Sequence, residues 1–163
     1  GNTGSGGLRS FGEQSLRAFE RELNQVVIPV VEETYRADAR PGRRALAGLS
    51  MGGLQTLYAG VKNHSMFSHL GVFSSGWFAN NTTLSEPQYS FMKDHASEIN
   101  SNIKLFWVAM GGKEDIAYEN CKVMLKKFDE LGIKYQYSEY PGGHTWPVWR
   151  NNLYQFAPLL FND

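Results

Sequence analysis

The chain has 163 residues, of which 42% are hydrophobic and 13% aromatic, a composition typical of one globular domain with a buried core. Its 16 basic and 16 acidic residues balance, so the charge does not point to nucleic acid or to an anionic membrane as a partner. No apolar run approaches the length of a membrane span. The single cysteine, Cys121, excludes an intrachain disulfide, and the four scattered histidines lack the spacing of metal ligands. Neither a metal nor a cofactor is therefore expected.

The first regular element that the sequence predicts is a helix from about Ser15 to Arg36. Pro29 interrupts its pattern and is expected to kink the helix or divide it in two. The glycine-rich opening, residues 1–7, lacks the flanking strand and helix of a phosphate loop, and we interpret it as a loop near the active site. The apolar positions that recur at helical spacing are Leu16, Phe19, Leu23, Val26, Val27, Val30 and Val31.

The next segment, Arg44 to Gly53, has the pattern of a short strand, a sharp turn and a helix. Within it Gly48 and Gly52 flank Ser50 as G-x-S-x-G, the pattern of a nucleophile elbow, in which a serine lies on a strained turn between strand and helix. Glycine is expected at both positions because a side chain would clash with the turn. The backbone N–H of Met51 is the expected first donor of an oxyanion hole.

The remaining segments alternate between strands and helices. This alternation predicts one α/β domain, residues 1–163, with about four mostly parallel strands and helices on both faces of the sheet. The predicted elements are a strand near Leu70 to Ser74, a polar excursion over 76–101 with Pro87 and a short helix near Phe91 to Ile99, a buried strand Ile103 to Met110, a helix over 117–131 closed by Gly132, a strand Lys134 to Tyr140, and a helix Trp146 to Leu160 with Pro147 in its first turn.

An acid and a base follow later strands of the predicted sheet. Asp115 lies five residues past Met110, and His144 lies in the loop P-G-G-H after the last strand. With Ser50 they have the chain order serine, acid, histidine, and all three follow strands at the edge where open α/β sheets bind ligands. Ser50, Asp115 and His144 are therefore the predicted catalytic triad. Glu114 is a rival acid, and Asp115 could instead cap the following helix.

Aromatic side chains occur close to the same strand ends. Trp77 and Trp146 could line a pocket for an aromatic acyl group or a sugar, and Trp149 is a weaker candidate. Cys121 falls on the apolar side of a predicted helix and is expected to be a core thiol rather than a nucleophile.

These motifs resemble the esterase D-like family of α/β-hydrolases, which includes the feruloyl and acetylxylan esterases of carbohydrate esterase family 1. The resemblance implies the α/β-hydrolase fold and a serine esterase that works through an acyl-enzyme on feruloyl or acetyl esters of plant cell-wall polysaccharide. It also implies a secreted or periplasmic location. Relatives that hydrolyse S-formylglutathione or siderophore esters share the triad and stay open as alternatives. The motifs are A-L-A-G-L-S-M-G-G-L-Q-T-L (45–57), F-S-S-G (73–76), G-G-K-E-D (111–115) and G-G-H-T-W-P-V-W (142–149).

The resemblance covers only the later portion of the family's domain. Family members carry further strands and an H-G-type loop before the point that Gly1 matches, so the chain is predicted to lack the first strands of the sheet. The strand before Ser50 should then be an edge strand that pairs with a missing N-terminal segment. A non-catalytic fragment that needs this segment is the alternative from a different functional class.

Overall fold

A parallel sheet of four strands forms the centre of the molecule, and the order of the strands in space, β1-β2-β3-β4, is their order in the chain. The computed structural model describes residues 12–77 and 82–162, so the glycine-rich opening lies outside the described residues. The strands are β1 Ala45–Leu49, β2 His69–Phe73, β3 Leu105–Met110 and β4 Gln136–Glu139, and the helices are α1 Glu13–Glu22, α2 Ile28–Thr34, α3 Met51–Lys62, α4 Thr82–Asp94, α5 Ala96–Asn102, α6 Tyr118–Leu131 and α7 Trp146–Phe156.

The two faces of the sheet are buried by different helices. Alternate residues of a strand point to opposite faces, so Leu70 and Val72 enter the larger core while Phe73 packs edge-to-face on Phe156 of α7. Gly71 leaves room for that ring, because a Cβ there would lie 2.9 Å from Phe156. The larger core also holds side chains of α1, α3, α4 and α6, as the alternating pattern predicted. Its members on these helices are Leu16, Leu54, Leu57, Tyr58, Ala59, Val61, Met92, Cys121, Met124, Leu125 and Phe128.

The first helix is divided into α1 and α2 by a π-helical turn, Leu23–Val27, that ends just before Pro29. The N–H of Ile28 donates to Leu23 O, five residues back, and Pro29 falls in the first turn of α2, where a missing N–H costs little. The extra residue of a π turn rotates the following positions by about 100° relative to an α-helix.

The apolar residues that recur at helical spacing in this segment are not all buried. Leu16 and Leu23 are buried, but the later valines are 41–53% exposed. The rotation at the π turn contributes to the exposure of these valines, because a pattern read with an unbroken period of 3.6 residues does not include that rotation. The four exposed residues, here called the valine patch, are Val26, Val27, Val30 and Val31.

The polar excursion between β2 and β3 is more helical than predicted. It contains α4, with Pro87 inside the helix, and α5. Met92 and Ile99 are buried in the larger core, and their burial outweighs the single hydrogen bond that Pro87 cannot make. The predicted end of α6 was confirmed, since Gly132 is left-handed with a φ of 66°. None of the described helices is long and apolar enough to cross a membrane.

Candidate active site

Ser50 lies on a strained turn between β1 and α3. Its φ of 53° and ψ of −116° fall in a region that residues with a side chain rarely adopt. The N–H of Ser50 donates to Phe73 O at 2.8 Å, which ties the turn to the end of β2. The hydroxyl therefore stands at the carboxyl edge of the sheet, as a nucleophile elbow requires.

The two glycines of the G-x-S-x-G pattern differ in what they permit. A Cβ on Gly48 would lie 2.2 Å from the backbone oxygen of Gly52, so only glycine fits at position 48. A Cβ on Gly52 would meet no atom within 4 Å, and the expectation of a clash there was wrong. The second crowded position is Gly53, whose Cβ would lie 2.5 Å from the Cβ of Ser75. Helix α3 therefore lies closest to β1 at Gly48 and closest to Ser75 at Gly53.

The structure brings the three predicted triad side chains together in one hydrogen-bonded row. His144 Nε2 lies 2.9 Å from Ser50 Oγ, and His144 Nδ1 lies 2.8 Å from Asp115 Oδ1. The Asp115 side chain is fully buried, while that of His144 is 19% exposed. An ionised carboxylate can only accept, so in the neutral imidazole Nδ1 carries the proton and Nε2 accepts from the Ser50 hydroxyl. This tautomer can take up the Ser50 proton.

The surroundings of Asp115 keep it ionised. Burial raises the pKa of its carboxyl, but the nearby Ser74 hydroxyl, the Ala117 N–H and His144 more than offset that effect, so the pKa lies below its ordinary value. The N–H of Ala117 donates to Oδ1 at 2.9 Å, and the N–H of Gly111 donates to Oδ2 at 3.3 Å. Two backbone donors and the imidazole thus hold one buried negative charge.

The positions of the Glu114 and Asp115 side chains decide which of them is the acid of the triad. Glu114 is exposed, and the carboxylate in contact with His144 is that of Asp115. Helix α6 has Ala117 at its N-cap without a side-chain cap bond, so Asp115 forms an Asx-type turn ahead of the helix rather than its cap.

Two glycine pairs join the loop that carries Asp115 to the loop that carries His144. The sequence reasoning missed this contact. The N–H of Gly112 donates to Gly142 O at 2.6 Å. A Cβ on Gly111 would lie 2.5 Å from the same oxygen, and Gly142 has a φ of 129°. The repeated G-G ahead of Asp115 and His144 was the available signal. These backbones approach as closely as they do because neither carries a side chain.

Ser74 has the second strained backbone near the site. It follows β2 as Ser50 follows β1, with a φ of 45°, and its N–H donates to Ala109 O at 2.8 Å. Its hydroxyl is buried close to the Asp115 carboxyl, but the distance and angles do not form a regular hydrogen bond with any described residue. The F-S-S-G motif of the sequence does not by itself predict a role for this residue.

Met51 and the two candidate tryptophans lie in different surroundings. Met51 is the first residue of α3, so its N–H has no acceptor within the helix and is available beside Ser50. Trp77 is 3% exposed, packs edge-to-face on Phe128 and donates from Nε1 to Gln88, so its described contacts are those of a core residue and do not support a place in the crevice. Trp146 is 65% exposed at the start of α7.

Cys121 is a buried thiol on α6, and its burial raises its pKa to about 12. A thiol of this kind is not a nucleophile at neutral pH. Among residues 12–77 and 82–162 there is no cluster of three side chains that could hold a metal ion.

The four parallel strands with flanking helices, and the elbow at the carboxyl edge, are those of the α/β-hydrolase fold. The chain belongs to an esterase family, since the family model described as "Putative esterase" matches residues 9–160. This family and fold are the ones expected from the motifs.

Individual relatives are similar to the chain over most of its length. An endo-1,4-beta-xylanase/feruloyl esterase of Xylanibacter ruminicola is 26% identical over 153 residues, which are 93% of this chain and 19% of that protein. The feruloyl esterase module of Clostridium thermocellum, solved in complex with sinapinate, is 24% identical with a TM-score of 0.72 over 90% of this chain and 59% of that one. The S-formylglutathione hydrolase of Staphylococcus aureus is 17% identical with a TM-score of 0.70 over 88% of this chain and 62% of that one.

The chain is shorter than these proteins. It spans about a fifth of the curated relative and about three fifths of the two solved chains.

Proposed function

We propose that the chain is a serine esterase, or the part of one that carries the triad, and that it hydrolyses carboxylic esters through an acyl-enzyme on Ser50. The observation that carries this proposal is the row Asp115–His144–Ser50, with both imidazole nitrogens in hydrogen-bond contact and the serine on a strained turn. Membership of the esterase family supports the reaction class.

The acylation step follows from these positions. His144 Nε2 takes the proton of the Ser50 hydroxyl as Oγ attacks the carbonyl carbon of the ester, and Asp115 stabilises the imidazolium that forms. The Met51 N–H donates to the oxyanion of the tetrahedral intermediate. The intermediate then expels the alcohol, which takes the proton from His144, and the acyl group remains on Ser50.

Deacylation repeats the same proton transfers with water. His144 Nε2 takes a proton from a water molecule whose oxygen attacks the acyl carbon. The bond to Ser50 Oγ breaks, Oγ recovers the proton from His144, and the carboxylic acid leaves.

The substrate class in this proposal is an ester linked to plant cell-wall polysaccharide, with a feruloyl or acetyl group as the acyl part. It is supported by the names of two relatives, a xylanase/feruloyl esterase and a feruloyl esterase module bound to sinapinate. Trp146, exposed next to the His144 loop, offers a flat apolar surface to a phenolic ring. A secreted or periplasmic location fits such a substrate. The runner-up is a small-molecule thioester such as S-formylglutathione, on which a structurally similar protein acts.

The reaction is tested by substitution of the triad. In turnover of p-nitrophenyl acetate, Ser50→Ala and His144→Ala should each lower kcat by about 10⁴–10⁶-fold, and Asp115→Asn by a comparable amount. Glu114→Gln is the matched control and should change kcat little, because its side chain is exposed and does not contact His144. A fluorophosphonate should label the wild type and not Ser50→Ala. If Glu114→Gln proves more damaging than Asp115→Asn, the assignment of the acid is wrong.

The substrate class is tested by comparing kcat/KM for methyl ferulate and a small acetyl ester. Trp146→Leu should lower kcat/KM for methyl ferulate by about two- to tenfold, the range expected for one aromatic contact, and should leave the acetyl ester nearly unchanged. Trp77→Phe is the control, because Trp77 lies in the core. A strong preference for acetate that survives Trp146→Leu would exclude the aromatic contact. Efficient hydrolysis of S-formylglutathione alone would favour the runner-up.

A further inference from the structure

The indole of Trp149 is packed against the imidazole of His144. The two rings lie edge-to-face, with centroids 5.0 Å apart and an angle of 87° between their planes. The indole of Trp146 packs edge-to-face on that of Trp149, with centroids 5.2 Å apart. The three rings therefore form a continuous row from His144 to the surface. Contacts of this geometry are favourable beyond the area that they bury.

The contact occupies a particular place at the start of α7. Thr145 is the N-cap residue, so His144 precedes the cap and Trp149 is the fourth residue of the helix. These are the two positions of a hydrophobic staple, the contact that fixes the direction in which a chain enters a helix. Thr145 makes no side-chain cap bond, and the staple is a side-chain contact that helps to orient this entry.

The backbone of the loop ahead of His144 is held by the hydrogen bond from Gly112 to Gly142, but this bond does not set the direction of the imidazole. Gly142 and Gly143 precede the histidine, and Gly142 adopts a conformation open mainly to glycine. The side chain of His144 is partly exposed. Three contacts with described residues help to orient it, which are the bonds to Asp115 and Ser50 and the packing on Trp149.

One of these three contacts disappears during the proposed reaction. Once Ser50 Oγ carries an acyl group it has no proton to donate, and the hydrogen bond that holds Nε2 in place is lost. Of these three contacts, those with Asp115 and Trp149 then remain to keep Nε2 directed at the water that must be deprotonated. We infer that Trp149 is a positioning residue for His144 and matters most in deacylation. This inference rests on the proposed function.

The indole N–H plays no part in the inferred role. Trp149 Nε1 is buried and meets no acceptor among the described residues. Removing it should cost no hydrogen bond, so phenylalanine should preserve the ring contact. Leucine removes the aromatic edge and is the informative change.

The experiment separates acylation from deacylation with p-nitrophenyl acetate, where the burst of nitrophenol reports the first step and the steady state the second. In Trp149→Leu, deacylation should slow by about ten- to hundredfold, with acylation slowed several-fold less. Trp149→Phe should stay within about threefold of the wild type in both steps. The thermal midpoint of each variant shows whether it is folded. If Trp149→Leu does not fold, Trp149→Met replaces it and is judged by the same ratio of the acylation and deacylation rates.

Two results would overturn the role of Trp149. One is a Trp149→Leu variant whose two steps are unchanged or slowed equally, and the other is a Trp149→Phe variant as impaired as Trp149→Leu. The Ser50→Ala variant keeps this test apart from that of the proposed function. A burst that survives in Ser50→Ala would contradict the esterase mechanism itself. A burst that vanishes there, with normal deacylation in Trp149→Leu, would contradict only the positioning role.

Discussion

At the scale of single residues, the elbow depends on one close approach between β1 and the first turn of α3. Gly48→Ala places a Cβ 2.2 Å from the backbone oxygen of Gly52, and since backbone cannot rotate away as a side chain can, the turn must open. We expect a loss of about 1–3 kcal/mol in the free energy of unfolding, measured by urea denaturation. Turnover should fall as well, because Ser50 moves with the turn.

Gly52→Ala is the matched control for this prediction. Its Cβ meets open space, and alanine in the first turn of a helix restricts the unfolded chain, so stability should be unchanged or raised by up to about 1 kcal/mol. Equal losses in the two variants would show that the pattern of two flanking glycines, rather than the contact at position 48, governs the turn.

The sequence predicts the residues of the site where their roles follow from their order along the chain. Ser50, Asp115 and His144 could be named because each follows a strand, and their side chains do meet in the structure. Glu114 could not be set aside from the sequence, because the direction of a side chain in a loop depends on contacts made elsewhere. Trp77 and Trp146 looked equivalent for the same reason, and burial separates them.

At the scale of elements, periodic segments were predicted well and interrupted ones were not. Strand β3 and helix α6 have long apolar patterns, and they lie where the pattern placed them. The π turn before Pro29 shifts the helical phase within five residues, which a fixed period cannot detect. The part of α4 before Phe91 was missed because Pro87 and polar residues argue against a helix locally, whereas burial of Met92 favours it. The joined glycine pairs were missed because the contact is between backbones far apart in the chain.

At the scale of the whole molecule, the β1 edge of the sheet and the valine patch bear on association. Strand β1 is one edge of the four-stranded sheet, and the valine patch is 41–53% exposed. Open strand edges and clustered apolar side chains both favour association. The expected pairing with a further N-terminal segment remains a prediction, and these are the surfaces that such a segment would contact.

We therefore expect the 163-residue chain, expressed alone, to associate in solution. Light scattering coupled to gel filtration should give a mass above that of a monomer, and the double variant Val26→Ser, Val30→Ser should shift the mass toward the monomer. Val123→Ser is the control, because Val123 is 45% exposed on α6 but stands outside the patch. Turnover of p-nitrophenyl acetate should be about 10²–10³-fold below that of an enzyme with two oxyanion donors, if the Met51 N–H is the single donor that the described residues supply.

A stable monomer would contradict this expectation about the surfaces. A monomer that also turns over p-nitrophenyl acetate at the typical enzyme rate of about 10 per second would show that the chain needs no further segment.

The agreement between strand order and chain order has a consequence for biosynthesis. Because each strand pairs with the one made just before it, the sheet can grow from one side while the ribosome is still translating, without waiting for a distant partner. The active site cannot be assembled in this stepwise way, since His144 is 94 residues beyond the serine that it contacts. A nascent chain would thus hold three paired strands well before the three triad side chains could meet, and the proposed catalysis would begin only when the last loop and α7 have emerged.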